Sequence, residues 1–134
     1  MREGFTMKQK VLVVDDQPDI RRLVRMTLDI GEFDVYEAAT GEMAVESAIA
    51  VKPRVVLMDI MMPGSIDGLG ACRAIKADPR LRDVSVVMLT ARGQQADIEA
   101  GSVAGADAYL VKPFSPLQLL DVVNDLIKGA GKPR

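Results

Sequence analysis

The chain of 134 residues contains no histidine and a single cysteine. Histidine-based acid/base catalysis and the usual zinc sites lack their residues, and Cys72 alone can form neither an intrachain disulfide nor a cysteine metal cluster. Long apolar runs are also missing. The longest are strand-length, well short of the roughly 18 to 20 residues a membrane helix needs, and the opening MREGFTMKQK has no apolar signal-peptide core. A cytoplasmic location without membrane association is the expectation. With a net charge of −2 there is no broad basic field to attract nucleic acid.

The composition, 49% hydrophobic and 27% charged, is that of an ordinary globular protein large enough for one core. Strand-like and helix-like runs alternate five times. Strands are expected at Lys10 to Asp15, Asp34 to Ala38, Arg54 to Asp59, Ser85 to Thr90 and Ala108 to Val111. Helices are expected at Pro18 to Asp29, Glu42 to Val51, Asp67 to Ala77, Gln94 to Ala104 and Pro116 to Lys128. Gly31 supplies the stop for the first, and Ser115, Pro116 and Gln118 match a capped start for the last. The fourth is expected to be the least stable, because Gly101 in its interior costs about 1 kcal/mol relative to alanine.

This pattern implies a (βα)5 doubly wound, flavodoxin-like α/β fold, with a five-stranded parallel sheet of order 2-1-3-4-5 and helices on both faces. Residues 10–128 form the expected domain, after a flexible leader at 1–9 and before a tail at 129–134. Cys72 shares a helix face with Leu69 and Ile75 and reads as a small buried hydrophobe.

Four apolar runs end in residues suited to phosphate or metal chemistry: VLVVDD at Asp15 and Asp16, VVLMD at Asp59, VVMLT at Thr90 and YLVKP at Lys112. In open parallel sheets the ligand site lies beyond the carboxyl ends of such strands, so these side chains are expected to converge. Two carboxylates about 5 Å apart at an effective dielectric near 20 repel by roughly 3 kcal/mol. A divalent cation is the simplest offset, and oxygen-only ligands favour Mg2+, with Mn2+ as the alternative. Asp16 reads also as an N-cap for the first helix, Asp15 as a solvated strand end and Asp59 as a turn residue. A carboxylate beside such a cation can act as a nucleophile toward a phosphoryl group, and Asp59, ending the central strand, is the choice. Lys112 then supplies a point charge and Thr90 a hydroxyl.

In order, VLVVDD, LMDIMMPG with a following DG, LTAR and YLVKPF resemble the motifs of the response-regulator receiver domain of two-component signalling, over roughly Lys10 to Lys128. The resemblance implies that Asp15 and Asp16 are metal-site acids, Asp59 the phosphoacceptor, and Thr90 and Lys112 the phosphate-contacting hydroxyl and lysine. It further implies that the Met61 carbonyl ligates the metal and that the Lys112–Pro113 bond is cis. Tyr109, three residues before Lys112, falls on the opposite strand face; the resemblance makes it a switch aromatic coupled to Thr90. Phe114 reads as packing, and Arg92 as a phosphate contact or a solvent-facing residue. The loop Pro63 to Gly68 is one residue longer than the commonest receiver spacing.

The implied function is phosphoryl transfer from a histidine kinase, phosphotransfer protein or small phosphodonor to Asp59, switching a partner-binding face of helix four, strand five and helix five. With only GAGKPR after the last helix, output is expected through another protein or through a weak phosphorylation-dependent dimer of an otherwise monomeric chain; the alternative is that the chain is a receiver excised from a longer protein. Multiple-turnover catalysis is not expected, although the chain would promote its own phosphorylation and dephosphorylation. Two alternatives stand beside this: a receiver-like binding module that works without phosphorylation, and an aspartate-nucleophile phosphohydrolase. The second would be expected to carry an acid two residues after its nucleophile, where this chain has Met61.

Overall fold

The structure, a computed structural model, describes residues 8–91 and 95–129. Five strands, β1 (Lys10–Val14), β2 (Asp34–Ala38), β3 (Val55–Asp59), β4 (Ser85–Ala91) and β5 (Ala108–Lys112), form one sheet. Its order is β2-β1-β3-β4-β5, and all neighbours are parallel. The helices between and after them are α1 (Pro18–Ile30), α2 (Gly41–Val51), α3 (Gly68–Ala77), α4 (Gln95–Ala104) and α5 (Pro116–Gly129). The expected fold is therefore present, with most element ends within a residue of expectation. A short 3₁₀ turn at Pro79–Leu81, capped by Asp78, had no counterpart in the hydrophobic pattern.

Strand side chains alternate between two cores. One contains Val14, Met58 and Met88 with Ala44 and Ala48 of α2, Cys72 and Ile75 of α3, and Ala104 of α4. The other contains Val13, Leu57, Leu89 and Leu110 with Val24 and Leu28 of α1 and Leu119 and Val123 of α5. Every residue of β3 is buried, which is why it reads as an unbroken apolar run up to Asp59.

Local chemistry sets the helix ends. Ser115 and Gln118 cap α5 reciprocally: the Gln118 amide donates to Ser115 Oγ at 3.1 Å, and the Ser115 amide to Gln118 Oε1 at 2.8 Å. Asp67 caps α3 by accepting from the Gly70 amide. Gly31 is the C-cap of α1, but with φ −79° it does not take the left-handed conformation; Glu32 does, at φ 65°. The N-cap reading of Asp16 is corrected: α1 starts at Pro18 as expected, and Gln17 holds the cap position without a side-chain cap bond. Cys72 is fully buried, its thiol donating toward the Ala104 carbonyl at 3.6 Å.

Candidate functional site

Because β1 and β3 are adjacent and parallel, their carboxyl ends bring Asp15, Asp16 and Asp59 together. One carboxylate oxygen from each lies within 4.8 Å of the other two. Lys112, at the end of β5, reaches across to the same point: its Nζ lies 2.8 Å from Asp15 Oδ2 and 3.4 Å from Asp59 Oδ1. Three carboxylates against one ammonium leave two negative charges among these four side chains.

The acids are not equivalent. Asp15 is fully buried, with Oδ1 accepting from the Gln17 amide at 2.9 Å and Oδ2 bound to Lys112. Asp16 is exposed and Asp59 is 8% exposed. Asp16 and Asp59 border a cleft of about 360 Å³ whose walls include Met61, Leu89, Ala91 and Lys112. Burial, and then the negative charge of Asp15, push the Asp59 carboxyl up to about 6, with Lys112 opposing both.

Thr90 is also buried, and its Oγ1 has no partner among the described residues. It lies one residue past Leu89, which pairs with Asp59 across the sheet. By strand alternation Thr90 shares a face with Met88, the register partner of Tyr109, whereas Lys112 lies on the other face with Leu110. Tyr109 packs against the first core, and its hydroxyl likewise has no partner among the described residues. The lysine and the hydroxyl thus lie on opposite faces of the sheet.

Phe114 is buried in the second core, as expected for packing, and the Lys112–Pro113 bond is cis. The Met61 side chain is 73% exposed, and Met61 lines the cleft. Arg92 lies outside the described residues.

Arg21 was not apparent from sequence. Its Nη1 donates to the Asp15 carbonyl at 2.6 Å and its Nε to Glu37 of β2 at 3.0 Å; Arg25, one turn on, also binds Glu37, at 2.7 Å. These bonds, that to Arg25 foremost, hold the Glu37 carboxyl below its usual range. The Arg21 and Arg25 spacing of four residues on one helix face was the available signal.

A sequence profile described as response regulator receiver domain matches residues 11–124. The transcriptional regulatory protein ResD of Bacillus subtilis is 39% identical over 127 residues, covering 95% of this chain and 51% of that protein. The chain spans about half the length of the curated relatives it matches. Among solved structures, a putative response regulator from Chloroflexus aurantiacus gives a TM-score of 0.87 at 31% identity, covering 91% of this chain and 99% of that one. The receiver domain of sensor histidine kinase PA1611 from Pseudomonas aeruginosa, solved with magnesium coordinated in its active-site cleft, gives 0.83 at 33% identity, covering 91% and 99% respectively.

Proposed function

The chain belongs to the response-regulator receiver family of two-component signalling, and from that membership we propose that Asp59 is its phosphoacceptor. The observation that carries this reading is the joint approach of Lys112 to Asp15 and Asp59 beside exposed Asp16. Receiver domains are signalling modules rather than multiple-turnover enzymes, so the reaction is a change of state of the protein itself.

In the step proposed, a carboxylate oxygen of Asp59 bonds to the phosphorus of a phosphohistidine or small phosphodonor. The bond from phosphorus to the leaving nitrogen or oxygen breaks, and the leaving group keeps the electron pair. Lys112 binds a phosphoryl oxygen from one side, and the Thr90 hydroxyl meets the product from the other.

The donor set suits a hard divalent cation, since it is all oxygen and carries surplus negative charge. Asp15, Asp16, Asp59 and the Met61 carbonyl would hold Mg2+, or Mn2+. A cation held there would supply charge neutralisation for the phosphoryl oxygens and favour the ionised form of Asp59.

Domain and output belong to the same reading. The receiver unit is residues 10–128, acting in the cytoplasm; its donor is a histidine kinase or phosphotransfer protein. Its output is a protein partner or a second copy at the α4-β5-α5 face, coupled through Thr90 and Tyr109. Among the described residues no helix is long and apolar enough to cross a membrane.

Incubation with Mg2+ and acetyl phosphate or phosphoramidate should add one phosphoryl group by intact mass. Asp59→Ala should remain unlabelled. No adduct on the wild type, or equal labelling of the variant, would sink the assignment.

A further inference from the structure

The longer loop between β3 and α3 is gripped at its tip by a residue from another element. Glu42, in the first turn of α2, accepts from the Ser65 amide at 2.8 Å through Oε2, and the same oxygen accepts from the Ser65 hydroxyl. Its second oxygen, Oε1, is buried without a partner among the described residues. A Cβ built on Gly64 would stand 2.9 Å from that oxygen, and Gly64 has φ +116°, so glycine fits there on both counts. Beside it, Gly41 is pressed on the Ile66 carbonyl so closely that a Cβ would approach to 2.5 Å. The start of α2 therefore bonds Ser65 and lies close against Gly64 and Ile66 on either side of it.

The loop base is fixed separately. The Gly68 amide donates to the Ile60 carbonyl at 3.0 Å. Between base and tip lie Met61, whose side chain is 73% exposed and gives no anchor, and Met62, which is buried. Met61 is thus flanked by Ile60, buried and bonded through both its amide and its carbonyl, and by buried Met62, beyond which the Glu42 grip fixes where the chain goes. The bonds from Ser65, its hydroxyl foremost, hold the Glu42 carboxyl below its usual range, so the grip is made by the charged form.

We propose that Glu42 is a positioning residue for the divalent-cation site, clamping the Pro63–Gly68 loop so that the Met61 carbonyl faces the acids. This rests on the reading of Asp15, Asp16 and Asp59 as that site. Groups that orient ligands from behind change metal affinity by about 10- to 100-fold when removed, and the lower end of that range is expected for a single backbone ligand.

The test is the Mg2+ dissociation constant by titration calorimetry for wild type, Glu42→Ala, Glu42→Gln and Ser65→Ala, with a melting curve for each. Glu42→Ala should weaken Mg2+ about tenfold, and Glu42→Gln, which still offers Ser65 an acceptor oxygen, should restore most of the affinity. Should Glu42→Ala not fold, Ser65→Ala, which removes one hydroxyl from an exposed residue, should still weaken binding in the same direction. Unchanged affinity in folded Glu42→Ala, or in Ser65→Ala where Glu42→Ala does not fold, would overturn the clamp alone. So would equal weakening in both Glu42 variants, which would assign the effect to charge. No Mg2+ binding by the wild type would instead overturn the site reading and the clamp with it.

Discussion

Asp59 is held against its own ionisation. Burial and the neighbouring Asp15 raise its carboxyl from 3.8 to about 6, and Lys112 at 3.4 Å only partly offsets them. The sign of the stability effect follows. Between about pH 4 and pH 6 the folded chain keeps a proton that the unfolded chain has lost, so stability falls as pH rises through that window and stays lower above it. The shift corresponds to at most about 3 kcal/mol at neutral pH without a divalent cation. Asp59→Asn removes the charge while Lys112 keeps its 2.8 Å bond to Asp15. In urea denaturation without divalent cation, the variant should exceed the wild type by about 1 to 3 kcal/mol near pH 7.5, with the gap closing below about pH 4.5. An equal gap at both pH values would mean that the Asp59 charge is not the source.

Elements were legible where their pattern has one cause. β1, β3 and β4 read as apolar runs because helices cover both faces, and α5 announced its start because the capping box is local chemistry. The start of α1 was read at Pro18, where it lies, but its cap was not, and the Pro79–Leu81 turn was missed because a turn so short carries no hydrophobic period. Gly101 shows a different limit. By propensity it only weakens α4, yet a Cβ there would stand 3.0 Å from Tyr109 Cε1 and 3.2 Å from Met88 Cγ, so this glycine makes room for the inward tyrosine ring. Gly101→Ala therefore sets a helix gain of about 1 kcal/mol against displacement of that ring. We expect no net rise in melting temperature, together with a Tyr109 ring resonance shifted toward a solvent-exposed environment. A stabilised variant with an unmoved ring would show that the pocket beneath α4 is looser than these distances indicate.

At the scale of the whole molecule, the sheet is both scaffold and divider. Thr90 and Tyr109 belong to the layer under α2, α3 and α4, while Lys112 and Phe114 belong to the layer under α1 and α5. Strand ends made the convergence of the three acids and Lys112 legible in the sequence. The ties that hold its edges, Arg21 to Asp15 and Glu42 to Ser65, were hidden because each joins residues of different elements that only packing brings together. Whether α4 moves apart from the rest is tested by the lone thiol. Cys72 lies between α3 and α4, donates toward the Ala104 carbonyl, and is raised to about 11, foremost by burial. Against the usual value of 9.0 this leaves, near neutral pH, about a hundredfold less thiolate than an exposed cysteine carries, before steric shielding is counted. Labelling by an aromatic disulfide reagent should therefore report opening events rather than the closed state. If α4 detaches locally, the labelling rate should depend only weakly on urea at low concentration, because little surface is exposed. Opening of the whole domain would instead follow the slope of global unfolding. Weak dependence is expected, since Gly101 in its interior lowers the intrinsic stability of α4 by about 1 kcal/mol; a slope equal to the global one would show that α4 is locked to the sheet and moves only when the domain unfolds.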